Sequence, residues 1–288
     1  MIEKRFDNAL PEPRHSLRVK RFTAGDDGQV TETLKLSMKG IVKRFGGVVA
    51  LDHVDFEVRR GEVMALVGDN GAGKSTLIKV LAGAHLADKG VMELDGAPVR
   101  FTSPQDAWNR GVATIFQELA LAGKMTIADN IFLGREITRT IAGIPFLDKR
   151  AMQRRSRELL EKIDVEVPDI HNWVEYLSGG QRQGVAIARA LNIDAEIIIM
   201  DEPTAALAVA EVRKVLAFIK TLRRQGKAVI LISHNVQDVL EVSDRITVLR
   251  RGARIGLLET KETTPEEVVG HITGASVSAH HAVRAERQ

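Results

Sequence analysis

Gly68-Asp69-Asn70-Gly71-Ala72-Gly73-Lys74-Ser75-Thr76 constrains this chain more than any other stretch. Glycines bracket a turn, and Lys74-Ser75 follows the last of them at once. The run before it, Val63-Met64-Ala65-Leu66-Val67, is wholly apolar, as a strand buried on both faces of a parallel sheet is. After it Leu77, Ile78, Val80 and Leu81 recur at helical spacing, and Gly83 closes the segment. Strand, glycine turn and helix in that order gather backbone N–H groups around a concavity at a helix N-terminus, which is an anion site. Lys74 adds a mobile cation that can reach phosphate oxygens, and a hydroxyl at Ser75 is where such loops hold Mg²⁺. The stretch therefore predicts an α/β core that binds a nucleotide. It leaves open what the nucleotide is used for.

Composition narrows the setting. A chain of 288 residues suits one large α/β domain or two small ones, and 44% hydrophobic with 27% charged residues is an ordinary globular balance. No apolar run approaches the ~20 residues needed to span a bilayer. Met1-Ile2-Glu3-Lys4-Arg5 lacks the apolar core of a secretory signal. The absence of cysteine removes disulfides, thiolate metal sites and a cysteine nucleophile. A cytoplasmic protein is expected. A net charge of +3 is too small to predict nucleic-acid binding, and Arg154-Arg155-Ser156-Arg157 and Arg223-Arg224 read as solvated helix faces.

Residues 1–33 mix prolines, glycines and both charges without period and read as a flexible leader. Strand patterning begins at Leu34, with Val54, Phe56 and Val58 alternating, and Val91 to Phe101 reads as a hairpin turning at Asp95-Gly96. Val112 to Phe116 is a further buried-strand candidate. Between about 119 and 192 strand signals are few, and helical stretches such as Ala151 to Ile163 predict a helical insertion. Strands return at Ile197 to Met200, Ala228 to Ile232, Ile246 to Leu249 and Arg254 to Leu258. The tail 275–288 is expected to be disordered.

Two motifs carry further chemistry. Ile197-Ile198-Ile199-Met200 ends in Asp201-Glu202, an acidic pair at the carboxyl end of a strand expected beside the glycine-loop strand. Asp201 can hold Mg²⁺, usually through water, and Glu202 is placed to deprotonate an attacking water. Leu177-Ser178-Gly179-Gly180-Gln181 combines an N-cap serine and its capping-box glutamine with adjacent glycines at a helix start. A capped helix explains Ser178 and Gln181 but not both glycines; a second anion site explains all of them.

With these motifs in this order, and with Gln117 and His234 at suitable places, the chain resembles the ATP-binding subunits of ABC transporters over roughly 34–274. The resemblance implies a P-loop NTPase core of α/β class with an antiparallel β subdomain and a helical insertion at about 119–192. It implies two copies stacked head to tail, each ATP lying between the P-loop of one and the Ser178–Gln181 signature of the other. On that pattern Gly68, Asp69, Asn70, Gly71, Ala72, Gly73, Lys74, Ser75 and Thr76 bind phosphates in one copy, and Ser178, Gly179, Gly180 and Gln181 close on the γ-phosphate from the partner. Ser75, Gln117 and Asp201 attend the Mg²⁺ ion, Glu202 is the base, and Gln117 and His234 contact the water or the γ-phosphate. Phe45 matches an aromatic that stacks on adenine, with Val54 packing nearby; the family position favours that reading over a core side chain at a strand end. Ala208 departs from the pattern, since many relatives place there an aspartate that couples the two sites.

Gly68 to Ser75, Asp129-Asn130-Ile131-Phe132-Leu133-Gly134-Arg135-Glu136 and Glu202 to Val212 look like bacterial importers of the ribose, xylose and fructose kind, the single-cassette fructose type above all. The resemblance implies ATP hydrolysis coupled to monosaccharide uptake by a homodimer on polytopic membrane permease subunits at the cytoplasmic face of the inner membrane, served indirectly by a periplasmic sugar-binding protein. An importer for another small solute and a non-transport ATPase of the same family remain the alternatives.

Overall fold

The computed structural model describes residues 33–275 apart from 116–118, 142 and 206. The expected leader and tail lie outside the described residues, except for Thr33 and Ala275, and so does Gln117. No described helix is long and apolar enough to cross a membrane.

β1 (Leu34–Phe45) and β2 (Val48–Arg59) form a long antiparallel ribbon that turns at Gly46-Gly47. The chain then enters β3 (Val63–Val67), buried at every residue, passes through the glycine loop and starts α1 (Lys74–Leu81). β4 (Lys89–Leu94) and β5 (Ala97–Val99) make the Asp95-Gly96 hairpin read from the sequence. α2 (Pro104–Asn109) follows, capped reciprocally by Ser103 and Asp106, and leads into β6 (Val112–Ile115).

The next segment is mostly helical. It holds α3 (Ile127–Phe132), the strands β7 (Thr138–Ile141) and β8 (Ile144–Leu147), α4 (Lys149–Glu161) and α5 (Gly179–Asn192). The β7–β8 hairpin is a departure from the expected helical insertion. Its apolar residues do not alternate cleanly, and Pro145 sits within β8, so the pattern carries little strand signal. α4 starts before Ala151 because Asp148 serves as its N-cap, accepting the Ala151 N–H at 3.0 Å.

The chain returns to the core with β9 (Ile197–Asp201), α6 (Val209–Arg224), β10 (Ala228–Ile232), α7 (Val236–Val242), β11 (Arg245–Arg250), β12 (Ala253–Glu259) and α8 (Pro265–Thr273). Six strands form one sheet in the order β12-β11-β3-β10-β9-β6, parallel except for the edge strand β12. A four-stranded antiparallel sheet, β2-β1-β4-β5, is separate from it. This corrects one expectation: β9 is not the neighbour of β3, because β10 lies between them. Both are equally apolar runs, so periodicity does not order them.

Alternation distributes the core. Ile197 and Ile199 of β9 join Met64, Leu66 and Ile230 on the side that carries α1 and the antiparallel sheet. Ile198 and Met200 join Val229 and Leu231 on the side that carries α5 and α6. Burying both faces fixes the register, since a one-residue slip would exchange the two sets.

A buried ion-pair group crosses between the sheets. Arg245 at the start of β11 is 2% exposed and donates from Nε to Glu62 at 2.7 Å and from Nη1 to Glu57 at 2.9 Å. It ties the central sheet to β2 and to the turn before β3.

Candidate functional site

The carboxyl ends of the central strands assemble the site. Register aligns Leu66, Ile232 and Asp201 across β3, β10 and β9, so the glycine loop, Ser233-His234 and Asp201-Glu202 emerge at one edge of the sheet. Ligand sites of open α/β sheets lie at this edge.

The glycine loop is pressed against its surroundings. Gly73 has φ 106°, and a Cβ there would stand 2.8 Å from the Ala50 carbonyl oxygen, so only glycine fits. Gly71 faces open space. The loop backbone is thus held from behind by β2 and is open at Gly71, while the Ala72 N–H turns back to the Asp69 carbonyl at 3.0 Å; a glycine turn of this kind at a helix start can present N–H groups to an anion. Lys74, half-buried at the start of α1, donates from Nζ to the carbonyls of Gly68 at 2.5 Å and Asp69 at 3.0 Å. Burial lowers its pKa, opposed by the charges of Glu202, Asp201 and Asp69. Burial and the Glu202 charge raise the pKa of Asp201, opposed by Lys74 and Lys79. The lysine and both carboxylates therefore sense one another. Ser75 is exposed on the first turn of α1 and Thr76 half-buried, while Asp69 and Asn70 lie on the exposed crest and Ala72 is buried beneath it.

Glu202 takes φ 52°, a left-handed conformation that is uncommon for a glutamate and belongs to sites where the surroundings over-determine it. Its N–H donates to the Ile232 carbonyl at 2.9 Å, and its Oε2 lies 2.8 Å from His234 Nδ1. The glutamate side chain is 13% exposed and the histidine 79%, so the pair spans from the sheet edge to solvent. The geometry suits a carboxylate that accepts a proton and an imidazole that orients what comes from solvent.

Sequence reasoning missed the groups that hold this pair. Thr204 Oγ1 donates to Asp238 Oδ2 at 2.8 Å, joining the loop after Glu202 to the helix after His234. Asp238 is 7% exposed, and Asn235 caps its helix. An Asn three residues before an Asp after a buried strand was the available signal, and it marks only a helix start. Arg189 of α5 was also missed: it donates to the carbonyls of Leu119 and Ala120, each at 3.0 Å, just beyond the segment with Gln117.

Ser178 and Gln181 form the expected capping box. Ser178 Oγ accepts the Gln181 N–H at 3.2 Å, and Gln181 Oε1 accepts the Ser178 N–H at 3.0 Å. Gln181 Nε2 also donates to the Glu166 carbonyl at 3.1 Å. A Cβ at Gly180 would run into the Glu211 carboxylate, whereas one at Gly179 would meet only Leu207 at 4.0 Å. Glu211 also accepts the Ala208 N–H at 3.2 Å, reaching back across the first turn of α6 because Ala208 has no side-chain acceptor. The fold does not bring this helix start to the glycine loop. Ser178 to Gln181 pack with Glu166, Leu207 and Glu211, and the loop packs with Ala50, Leu249 and Gly252.

Phe45 at the end of β1 is 45% exposed, which removes the core reading. Its ring meets His85 edge-on at 5.2 Å, and Lys43 Nζ stands 5.4 Å from its centroid. Val54 is wholly buried in β2, and the apolar neighbour left exposed is Val48, paired with Phe45.

The comparisons with known proteins agree with this arrangement. A protein-family model described as ABC transporter matches residues 51–205. The fructose import ATP-binding protein FrcA of Rhizobium meliloti is 46% identical over 254 residues, covering 87% of this chain and 98% of that protein. The xylose/arabinose import ATP-binding protein XylG of Sulfolobus acidocaldarius is 48% identical over 238 residues, covering 83% of this chain and 93% of that protein. Among solved structures, the ADP conformation of MJ1267, an ATP-binding cassette of an ABC transporter, superposes with a TM-score of 0.69 at 27% identity, covering 87% of this chain and 97% of that one.

Proposed function

The chain belongs to the ABC transporter family, and from that premise we propose that it is the ATP-hydrolysing subunit of a sugar importer. Two copies would stack head to tail beneath polytopic permease subunits at the cytoplasmic face of the inner membrane. A periplasmic sugar-binding protein would deliver the solute to those subunits.

The chain's own residues divide the work. The loop from Gly68 to Thr76 would cradle the phosphates, with Lys74 turning from its loop carbonyls to the β- and γ-phosphate oxygens. Ser75 and Asp201, with Gln117, offer the hard oxygen donors that suit Mg²⁺ and would hold it. That ion supplies charge neutralisation on the phosphate oxygens. Glu202 would take a proton from the attacking water, and His234 would fix the water and the γ-phosphate. Phe45 would stack on adenine. Ser178, Gly179, Gly180 and Gln181 would close the site from the other copy, using the positive end of α5 against the γ-phosphate. Losing that phosphate removes contacts made only in the closed dimer, so the two copies part and move the permease.

The observation that carries this reading is the Glu202–His234 pair, 2.8 Å apart at the sheet edge that bears the glycine loop. The test is Glu202→Gln. ATP turnover should fall by about 10²–10⁴, while ATP should now drive the variant into dimers measurable by light scattering. Turnover near wild type would remove Glu202 as the base.

A further inference from the structure

The β7–β8 hairpin pairs with neither larger sheet, and its described residues are exposed throughout. A two-stranded hairpin is marginal on its own in water. Yet Ile141, Ile144, Phe146 and Leu147 are each about half exposed or more. Register decides how they group. Ile141 stands opposite Ile144 and Arg139 opposite Phe146, so those four side chains share one face. That face is an uncovered apolar patch with a cation set in it.

α4 continues the same chemistry directly after β8. Met152, Ser156, Leu159 and Leu160 turn inward, which leaves Arg150, Arg154 and Arg157 at i, i+4 and i+7 on the outward face. Arg155 pairs with Glu158 at 3.1 Å, and Arg157 has Asp169 within electrostatic range. Arg150 and Arg154 have no ion pair or hydrogen-bond partner among the described residues. Like charges one turn apart disfavour the helix unless something neutralises them. Between the hairpin root and α4 lies a cavity of about 540 Å³ that Ile137, Arg135, Arg154, Arg155 and Glu158 help to line. Arg135 Nε is buried without a hydrogen-bond partner, while its Nη2 donates to Asn109 Oδ1 at 3.4 Å.

We propose that this hairpin and the outward face of α4 form a lipid-contact surface that seats an anionic phospholipid headgroup. The phosphate would lie at Arg135 and Arg154, which line one cavity, with Arg150 one turn of α4 away adding its charge, and Ile141, Ile144 and Phe146 would enter the boundary between headgroups and acyl chains. An exposed apolar face beside a helix in which basic residues outnumber acidic ones matches a bilayer interface, which supplies both an apolar layer and a sheet of phosphates. The contact is independent of the nucleotide site and is additional to docking on a permease.

Flotation of the full chain with vesicles tests it. The chain should float with phosphatidylglycerol mixed into phosphatidylcholine and stay behind with phosphatidylcholine alone. Each basic side chain at an anionic surface contributes about fivefold in affinity, so Arg150→Ser with Arg154→Ser should weaken binding by an order of magnitude or more. Ile144→Ser with Phe146→Ser should weaken it by on the order of tenfold. ATP turnover and the thermal midpoint should hold in both variants, since these side chains are exposed. Equal flotation on neutral vesicles, no flotation on either, or variants that float like wild type would each overturn the proposal. So would a hairpin variant that loses only self-association, or complete release by inorganic phosphate at matched ionic strength.

Discussion

Asp201 is held where its charge is costly. Burial and the neighbouring Glu202 carboxylate raise its pKa, and the attraction of Lys74 and Lys79 does not offset them. The sign follows from proton binding: a carboxyl that keeps its proton to higher pH in the folded chain than in the unfolded one loses stability as pH rises through that interval. Ionised Asp201 is thus a standing cost at neutral pH, of the sort that active sites retain for chemistry. Asp201→Asn should unfold at a higher temperature than wild type at pH 7. The gain should shrink as pH falls toward the ordinary carboxylate pKa and vanish below about pH 4, where the carboxyl is protonated in the folded and unfolded chains alike. The same variant should lose Mg²⁺-dependent turnover if Asp201 serves the metal as proposed. Melting curves at several pH values, with turnover alongside, check both parts. Glu202 adds its own strain through a left-handed backbone, so the catalytic edge is built from residues that the rest of the fold must constrain.

At the scale of elements, the sheet edge stays in place because buried polar ties cross between strands. Arg245 bridges Glu57 and Glu62, and Asp244 accepts the Val63 N–H at 3.0 Å next to it. Removing one member of such a group leaves a buried charge without its partner, at a cost of about 3–5 kcal/mol, whereas removing both ends costs far less. Arg245→Met should lower stability by that amount in urea titration, and Arg245→Met with Glu62→Met should recover most of it. None of these ties was legible in the sequence, because an arginine at a strand start carries no sign of its partners more than 180 residues away. What was legible has local causes. The glycine loop, the Ser178–Gln181 capping box and the Asp95-Gly96 turn are set by backbone geometry over a few residues, and each lies where it was expected. The order of β9 and β10, the Thr204–Asp238 link and the isolated β7–β8 hairpin depend on long-range packing. A pattern read along the chain does not contain it.

For the molecule as a whole, the separation of the two anion-binding helix starts is the decisive geometry. The loop at Gly68 to Thr76 and the helix start at Ser178 belong to opposite sides of the central sheet's core. A single copy would therefore carry two half-sites, which two copies complete reciprocally. Mixing damaged subunits distinguishes this from a site completed within one chain. Lys74→Ala removes the cation of the loop but leaves the helix start intact. Gly179→Asp puts a carboxylate at the helix start, where a Cβ has room, and leaves the loop intact. Each variant alone should be inactive, because each homodimer has the same broken half in both sites. In the mixed dimer both lesions fall in one site, and the other is made of two undamaged halves. With random pairing and independent sites, an equal mixture should regain roughly a quarter of wild-type turnover, half the dimers being mixed and each having one working site. If both half-sites acted within one chain, no subunit in the mixture would be whole, and turnover would stay at the level of the separate variants.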